Sequence, residues 1–326
     1  MSSYKIIRLA AWISALALAG WLIRDLPFND ILDSVKSLSM RQWFYWSILN
    51  LFIIFIFVWR WMALTKGLDL NLNFLNLLFL RQAGQSVSFI TPGPQFGGEP
   101  LQIFLLYKRF NISPGDSFLA LAVDRFFELW VNFAVLLLGI LYLAFSGSGL
   151  ENWISVALII ALAILLLCFL AWGVILGNTS IAKIINNIGL RWLGSKRLSN
   201  INFHWNQITS SLQNLLKNKL ALAAALLLSI SGWLLTFFEL YLVLSFFNIY
   251  LSTTDFILLL VAMRLAFLLP LPGGIGTLEA AVLWVFSAIV LPETAAAAVL
   301  ALIRFRDVIV LGIGFMCLRL LQAKTV

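Results

Sequence analysis

Apolar runs close to the length of a bilayer crossing recur along this chain, at residues 6–23, 42–64, 116–145, 153–176, 220–249 and 294–321. A helix needs about 20 apolar residues to cross the hydrocarbon core. The first run follows Lys5 and Arg8, and Ala17-Leu18-Ala19 loosely fits a signal-peptide cleavage site. Trp21, Leu22 and Ile23 carry it on to spanning length, so it is read as a helix. Composition agrees, with 62% hydrophobic and 11% charged residues against about 25% charged in soluble domains. The chain is a polytopic helical membrane protein, and 326 residues leave little room for a soluble catalytic domain. Trp43 and Trp46 at one end of the second run and Trp59 and Trp61 at the other mark interfacial belts. Arg60 lies where it can snorkel to an interface.

Two more apolar stretches are broken in the middle. TPGPQFGGE interrupts one at residues 91–99, between arms at 71–90 and 100–107. PLPGGIGTLEAA interrupts the other at residues 270–281, between arms at 254–269 and 277–290. At an offset of 180, Pro92 falls on Pro272, Gly93 on Gly273 and Glu99 on Glu279. Broken helices at membrane depth are tolerated where the backbone is buried in protein or lines a cavity, and in transporters they mark the binding site. Beyond each break, Arg125-Phe126-Phe127-Glu128 matches Arg304-Phe305-Arg306-Asp307 at an offset of 179. Each copy places a cation three residues before an acid, on one helix face. The expected fold is all-α: six full spans plus two re-entrant helical hairpins, with repeat units at 42–145 and 220–321 in one membrane domain.

Lysine and arginine set the sidedness. With the N-terminus cytoplasmic and each hairpin returning to its own side, thirteen cationic residues fall inside, among them Lys66, Lys108, Arg109, Arg191, Lys217 and Lys219. Only Arg24, Lys36 and Arg41 fall outside. This positive-inside bias places both termini in the cytoplasm and the two units upside down relative to each other. It also accounts for the net charge of +8 without nucleic acid. The polar loop 177–219 carries apolar residues at helical spacing (Ile181, Ile184, Ile185, Ile188; then Ile201, Trp205, Ile208, Leu212, Leu215) and reads as two helices lying on an anionic membrane surface. His204, the single histidine, lies in this loop with no metal-ligand spacing around it. Cys168 and Cys317 sit in apolar helices and read as small buried residues.

Six arginines (Arg60, Arg81, Arg125, Arg264, Arg304, Arg306) and six acids (Glu99, Asp124, Glu128, Glu239, Glu279, Asp307) lie within apolar segments. Each costs about 2.5–3.5 kcal/mol at a helix centre when isolated. Equal numbers of the two signs imply pairing inside the bundle or along a wet cavity. Arg125 with Glu128, and Arg304 with Asp307, are candidate local pairs, while Glu239 and Asp124 are further structural or coupling charges. Arg81 and Arg264 have no acid on their own arms and become the candidate phosphate ligands, the alternative being pairs with Glu99, Glu279 or Glu239 across the bundle. Gly93, Gly97 and Gly98, with Gly273, Gly274 and Gly276, open backbone N–H groups at the starts of the short arms, a setting that attracts anions. Glu99 and Glu279 either cap those arms or contact a cationic head group or a proton.

PLPGGIGTLEAA in the C-terminal third, with the earlier TPG…GEPL element, resembles the lysylphosphatidylglycerol synthase transmembrane-region family. This is the flippase-like membrane half of multiple peptide resistance factor proteins. The resemblance covers most of the chain and is strongest at 88–106 and 264–281. It implies movement of lipids between leaflets of the plasma membrane, with no cofactor. The transfer-RNA-dependent synthase domain of full-length relatives is not expected, since the chain ends at Val326, and neither is aminoacyl transfer. Two other functions compete: a membrane enzyme acting on lipid-linked substrates, and a non-catalytic partner that recruits a lipid synthase through the loop 177–219. No nucleotide-binding P-loop is present in the sequence, so transport would be passive or ion-coupled.

Overall fold

A computed structural model describes residues 33, 35–91, 97–146, 153–175 and 205–323. The apolar run 6–23, the break residues Pro92 and Gly93, the first of the two expected surface helices and His204 lie outside the described residues. Among those described there are ten α-helices: α1 (Met40–Gly67), α2 (Phe74–Ile90), α3 (Glu99–Phe110), α4 (Pro114–Phe145), α5 (Trp153–Ile175), α6 (Trp205–Lys217), α7 (Lys219–Phe246), α8 (Thr253–Leu268), α9 (Thr277–Ala288) and α10 (Glu293–Ala323). A 3-10 turn, Pro272–Gly274, separates α8 from α9. Polar residues punctuate the helices. Ser39 and Gln42 cap α1 reciprocally, and the side chains of Asn73, Ser113, Asn218 and Ser252 accept the first free N–H groups of α2, α4, α7 and α8.

α1, α4 and α7 are long and apolar enough to cross a membrane. α10 is also long, at 31 residues, but carries Arg304, Arg306 and Asp307 near its middle. Large apolar side chains stay exposed on the outer faces, including Phe44, Ile48 and Phe52 of α1 and Leu158, Leu162 and Leu166 of α5. In water such surface would be unfavourable; in a bilayer it is the solvated face.

α1 and α7 form an antiparallel central pair. Trp46 meets Glu239 near one end, Gly232 lies against Phe57 at the middle, and Gly67 lies against Ala221 at the other end. One end of the bundle gathers Trp46, the last turns of α7, α9 and the first turns of α10. The opposite end gathers Val58 and Trp61 of α1, Ile103 and Leu106 of α3, and Cys317 and Leu321 of α10. The short arms α3 and α9 therefore pack at opposite ends. α2 and α8 hold 17 and 16 residues, α3 and α9 hold 12 each, and α4 and α10 hold 32 and 31.

Each long terminal helix touches both hairpins. α4 packs on α3, and its Gly139 lies against Val261 of α8. α10 packs on α9, and its Gly314 lies against Ser86 and the Gln82 carbonyl of α2. Arg109, at the end of α3, donates to the carbonyl oxygens of Leu320 and Leu321 where α10 ends.

α6 differs from expectation. Its stripe faces protein: Ile208 and Leu215 are buried with Leu68, Leu119, Ala120 and Ala221 at the ends of α1, α4 and α7. An amphipathic period specifies an apolar neighbour, and the exposed helix ends offer one closer than lipid. Ser211 also donates to Asp116 in the first turn of α4.

Gly98 marks a close approach within the first hairpin. A Cβ there would lie 1.9 Å from the Gly84 carbonyl oxygen of α2. Gly312, on α10, has nothing within 4 Å of such an atom. Gly98→Ala is expected to destabilise the protein by about 1–3 kcal/mol, since the arms must separate. Gly312→Ala is expected to be neutral or stabilising by about 0.5–1 kcal/mol, from the entropy of a helical glycine. Thermal unfolding of the two detergent-purified variants, followed by size-exclusion fluorescence, checks the order.

Candidate functional site

Two clusters of opposed charge occupy the bundle. In the first, Arg60 Nε lies 2.9 Å from Asp124 and its Nη2 lies 3.1 Å from Glu128. Arg81 reaches the same two acids at 2.9 and 3.4 Å. Arg125 joins Glu128 at 3.0 Å and Glu99 at 3.3 Å. Arg60 is fully buried, so the expected snorkelling does not occur. It turns inward because Asp124 and Glu128, one helical turn apart on α4, present carboxylates to one guanidinium plane.

In the second cluster, Arg304 grips Glu279 through both oxygens at 2.7 and 2.9 Å. It also donates to the carbonyl oxygens of Gly273 and Gly274, and to Asp307 at 3.1 Å. One planar fork thus ties α10 to the break of the second hairpin, as only arginine geometry allows. Arg306 joins Glu239 and Asp307, each at 3.1 Å, and Trp46 donates its indole N–H to the other Glu239 oxygen.

Both hairpin glutamates act as caps. Glu99 accepts from the Gly97 N–H and Glu279 from the Gly276 N–H, and each also meets an arginine of the long helix that follows. Gly276 has φ +83°, a conformation that turns its N–H onto that carboxylate and suits glycine. The two local pairs read from the sequence, Arg125 with Glu128 and Arg304 with Asp307, are both present.

Arg81 and Arg264, treated alike in the sequence, part company. Arg81 is committed to two carboxylates. Arg264 has no carboxylate within 4.0 Å and no hydrogen bond among the described residues; its guanidinium stacks 4.4 Å over the Trp233 ring. At an offset of 179, Asp124 falls on Ile303 and Arg60 on Glu239. At the same offset Arg81 falls on Leu260, so Arg264 stands about one helical turn beyond the position that matches it.

A cavity of about 600 Å³ lies between α1, α2, α4, α7, α8 and α10. Arg81, Arg125, Arg264 and Arg306 line it, with Glu128, Glu239 and Asp307. Gly273 contributes from the second break, and its Cα side lies against Phe89 at the end of α2, where the two hairpins touch. Gly97, Gly98, Gly274, Gly276, Glu99 and Glu279 stand behind this wall as supports for the hairpins; Gly93 lies outside the described residues. Sequence reasoning missed Gln82, Asn132 and Trp233, which also line the cavity. The signal for Gln82 was legible: Gln82, Gln85 and Ser86 recur at helical spacing in an otherwise apolar arm. Among the described residues no group of acids, cysteines or histidines could hold a metal ion.

A charged cavity enclosed by broken helices, inside a bundle with apolar outer faces, defines a polytopic helical membrane protein with an internal polar site. Residues 6–314 match the model of the lysylphosphatidylglycerol synthase TM region, and the chain belongs to that family. It is similar to a UPF0104 membrane protein of Methanothermobacter thermautotrophicus, 26% identical over 320 residues, covering 93% of this chain and 92% of the relative. A UPF0104 membrane protein of Methanocaldococcus jannaschii is also 26% identical, over 277 residues, covering 79% and 77%. No solved structure is a match for this chain.

The pairs make unequal mutations predictable. Arg304→Ala leaves Glu279 buried without its cation and two glycine carbonyls without donors, and is expected to cost about 3–5 kcal/mol. Arg304→Lys keeps the charge but loses the fork and is expected to fall between wild type and Ala. Melting temperatures of the two variants in one detergent give the ranking; equal melting of wild type and Arg304→Ala would contradict it.

Proposed function

We propose that this protein is a lipid translocase, moving a phospholipid or another anionic or aminoacylated lipid between leaflets with its headgroup in the charged cavity. The observation that carries the reading is the cavity itself: it holds both signs of charge, and Gly273 and Phe89 bring the two hairpins together at its wall. A headgroup crossing a bilayer needs such a polar route while its tails remain in lipid.

The hairpins are read as re-entrant and the two units as an inverted repeat. Arms of 12 residues extend about 18 Å, short of the roughly 30 Å hydrocarbon core. The matched helix lengths and the packing of α3 and α9 at opposite ends support inversion, an architecture suited to alternating access. The gathering of the end of α1 and the starts of α4 and α7 under α6 fits one common face, read as cytoplasmic. The family places the chain with a synthase's membrane region, which supports lipid transport ahead of lipid chemistry.

Reconstitution tests the function. Liposomes containing the pure protein and tail-labelled phospholipid are expected to exchange label between leaflets faster than empty liposomes. Exchange at the empty-liposome rate with zwitterionic, anionic and aminoacylated lipids alike would remove the translocase reading, and chemical conversion of the lipid would replace it with an enzyme.

Sidedness has its own test. In a background lacking Cys168 and Cys317, Lys108→Cys in cells is expected to resist a membrane-impermeant maleimide until the membrane is opened. Lys36→Cys is expected to react in intact cells. The opposite pattern would invert the topology.

A further inference from the structure

Among the described residues, two groups in the cavity wall lack partners, one a donor and the other an acceptor. Arg264, on α8, is half-buried and stacked on Trp233, itself 7% exposed. Stacking occupies the face of the guanidinium and fixes its plane, but satisfies none of its five N–H donors. Glu239 is the nearest acid in charge terms, yet both its oxygens are engaged, one by Trp46 and one by Arg306. Gln82, on α2, is 2% exposed, and its Oε1 accepts no hydrogen bond. An unpartnered donor fork that is half-buried and an unpartnered acceptor that is buried are each costly to leave unfilled. One stands on each hairpin, and both line the same cavity.

We propose that this cavity binds a phosphodiester headgroup bearing a terminal hydrogen-bond donor, with Arg264 holding the phosphate and Gln82 accepting from the donor. The fork geometry of arginine matches two phosphate oxygens. The wall carries four arginines against three acids, Glu128, Glu239 and Asp307, and the one cation in excess matches the single negative charge of a diester rather than the two of a phosphomonoester. The buried acceptor rejects a headgroup that ends in a quaternary ammonium, because such a group has no proton to donate. Phosphatidylglycerol, through its hydroxyls, and phosphatidylethanolamine, through its ammonium, share the required chemistry; phosphatidylcholine does not. The inference rests on the translocase reading for its biological role, but the binding it describes is independent of transport.

The test is calorimetric titration of the detergent-purified full chain with monomeric dihexanoyl lipids. Phosphatidylglycerol and phosphatidylethanolamine are each expected to bind roughly tenfold more tightly than phosphatidylcholine, the equivalent of one buried hydrogen bond. Gln82→Leu should erase that preference while leaving phosphatidylcholine affinity unchanged. Arg264→Gln should weaken all three lipids by roughly tenfold or more, as for a charge-assisted contact. Arg264→Lys, which keeps the charge, should lose less, and serves if Arg264→Gln fails to elute and melt as wild type does. Arg41→Ala, on the exposed surface, should bind as wild type. Equal binding of the three lipids by wild type, or no loss in Arg264→Gln or Arg264→Lys, overturns the site. Selective binding without leaflet exchange would sink the translocase reading and leave the site standing; exchange without selectivity would do the reverse.

Discussion

A guanidinium withdrawn from water must find acceptors, and most of this bundle is arranged to meet that demand. Arg60, Arg81, Arg125, Arg304 and Arg306 each reach one or more carboxylates. The pairs are seldom exclusive. Glu128 serves three arginines and Asp307 two. Shared carboxylates bind α1, α2 and α4 into one unit, and α7, the second break and α10 into another. Buried ion pairs add little net stability against an apolar alternative, but removing one partner strands the other. Their effect is therefore to fix which helices lie together. Among the described residues of the bundle, Arg264 reaches no carboxylate and stacks on Trp233 instead.

The hairpins depend on the same chemistry at closer range. A helix start buried in protein has free N–H groups with no water to receive them. Glu99 and Glu279 each accept one such N–H next to their own break, and the arginine of the following long helix neutralises the carboxylate. Cap and ion pair are thus one device, used twice. The glycines are needed around it because the backbone must turn sharply at Gly276 and pass close to Gly84 at Gly98.

Much of this was legible in the sequence. The apolar runs gave the bounds of each described long helix within a few residues, since length and polar termini leave little freedom. The Arg125–Glu128 and Arg304–Asp307 pairs follow from i,i+3 spacing alone. What could not be read was which cations lack partners. Arg81 and Arg264 stand 11 and 8 residues before Pro92 and Pro272 with no acid on their own arms, and the acids that take Arg81, Asp124 and Glu128, lie far away in sequence on another helix. Arg60 was misjudged for a related reason: position near the end of a span suggests snorkelling, whereas carboxylates on α4 draw it inward. The stripe on α6 was correctly apolar, but periodicity names a face and not what covers it.

The paired clasps on α4 and α10 have a mechanical consequence. Each of these helices grips the short arm of its own hairpin and lies, through a glycine, against the long arm of the other. α10 is additionally pinned at its last turn by Arg109 of α3. Through these contacts α4 and α10 tie the two hairpins to each other as well as to the bundle.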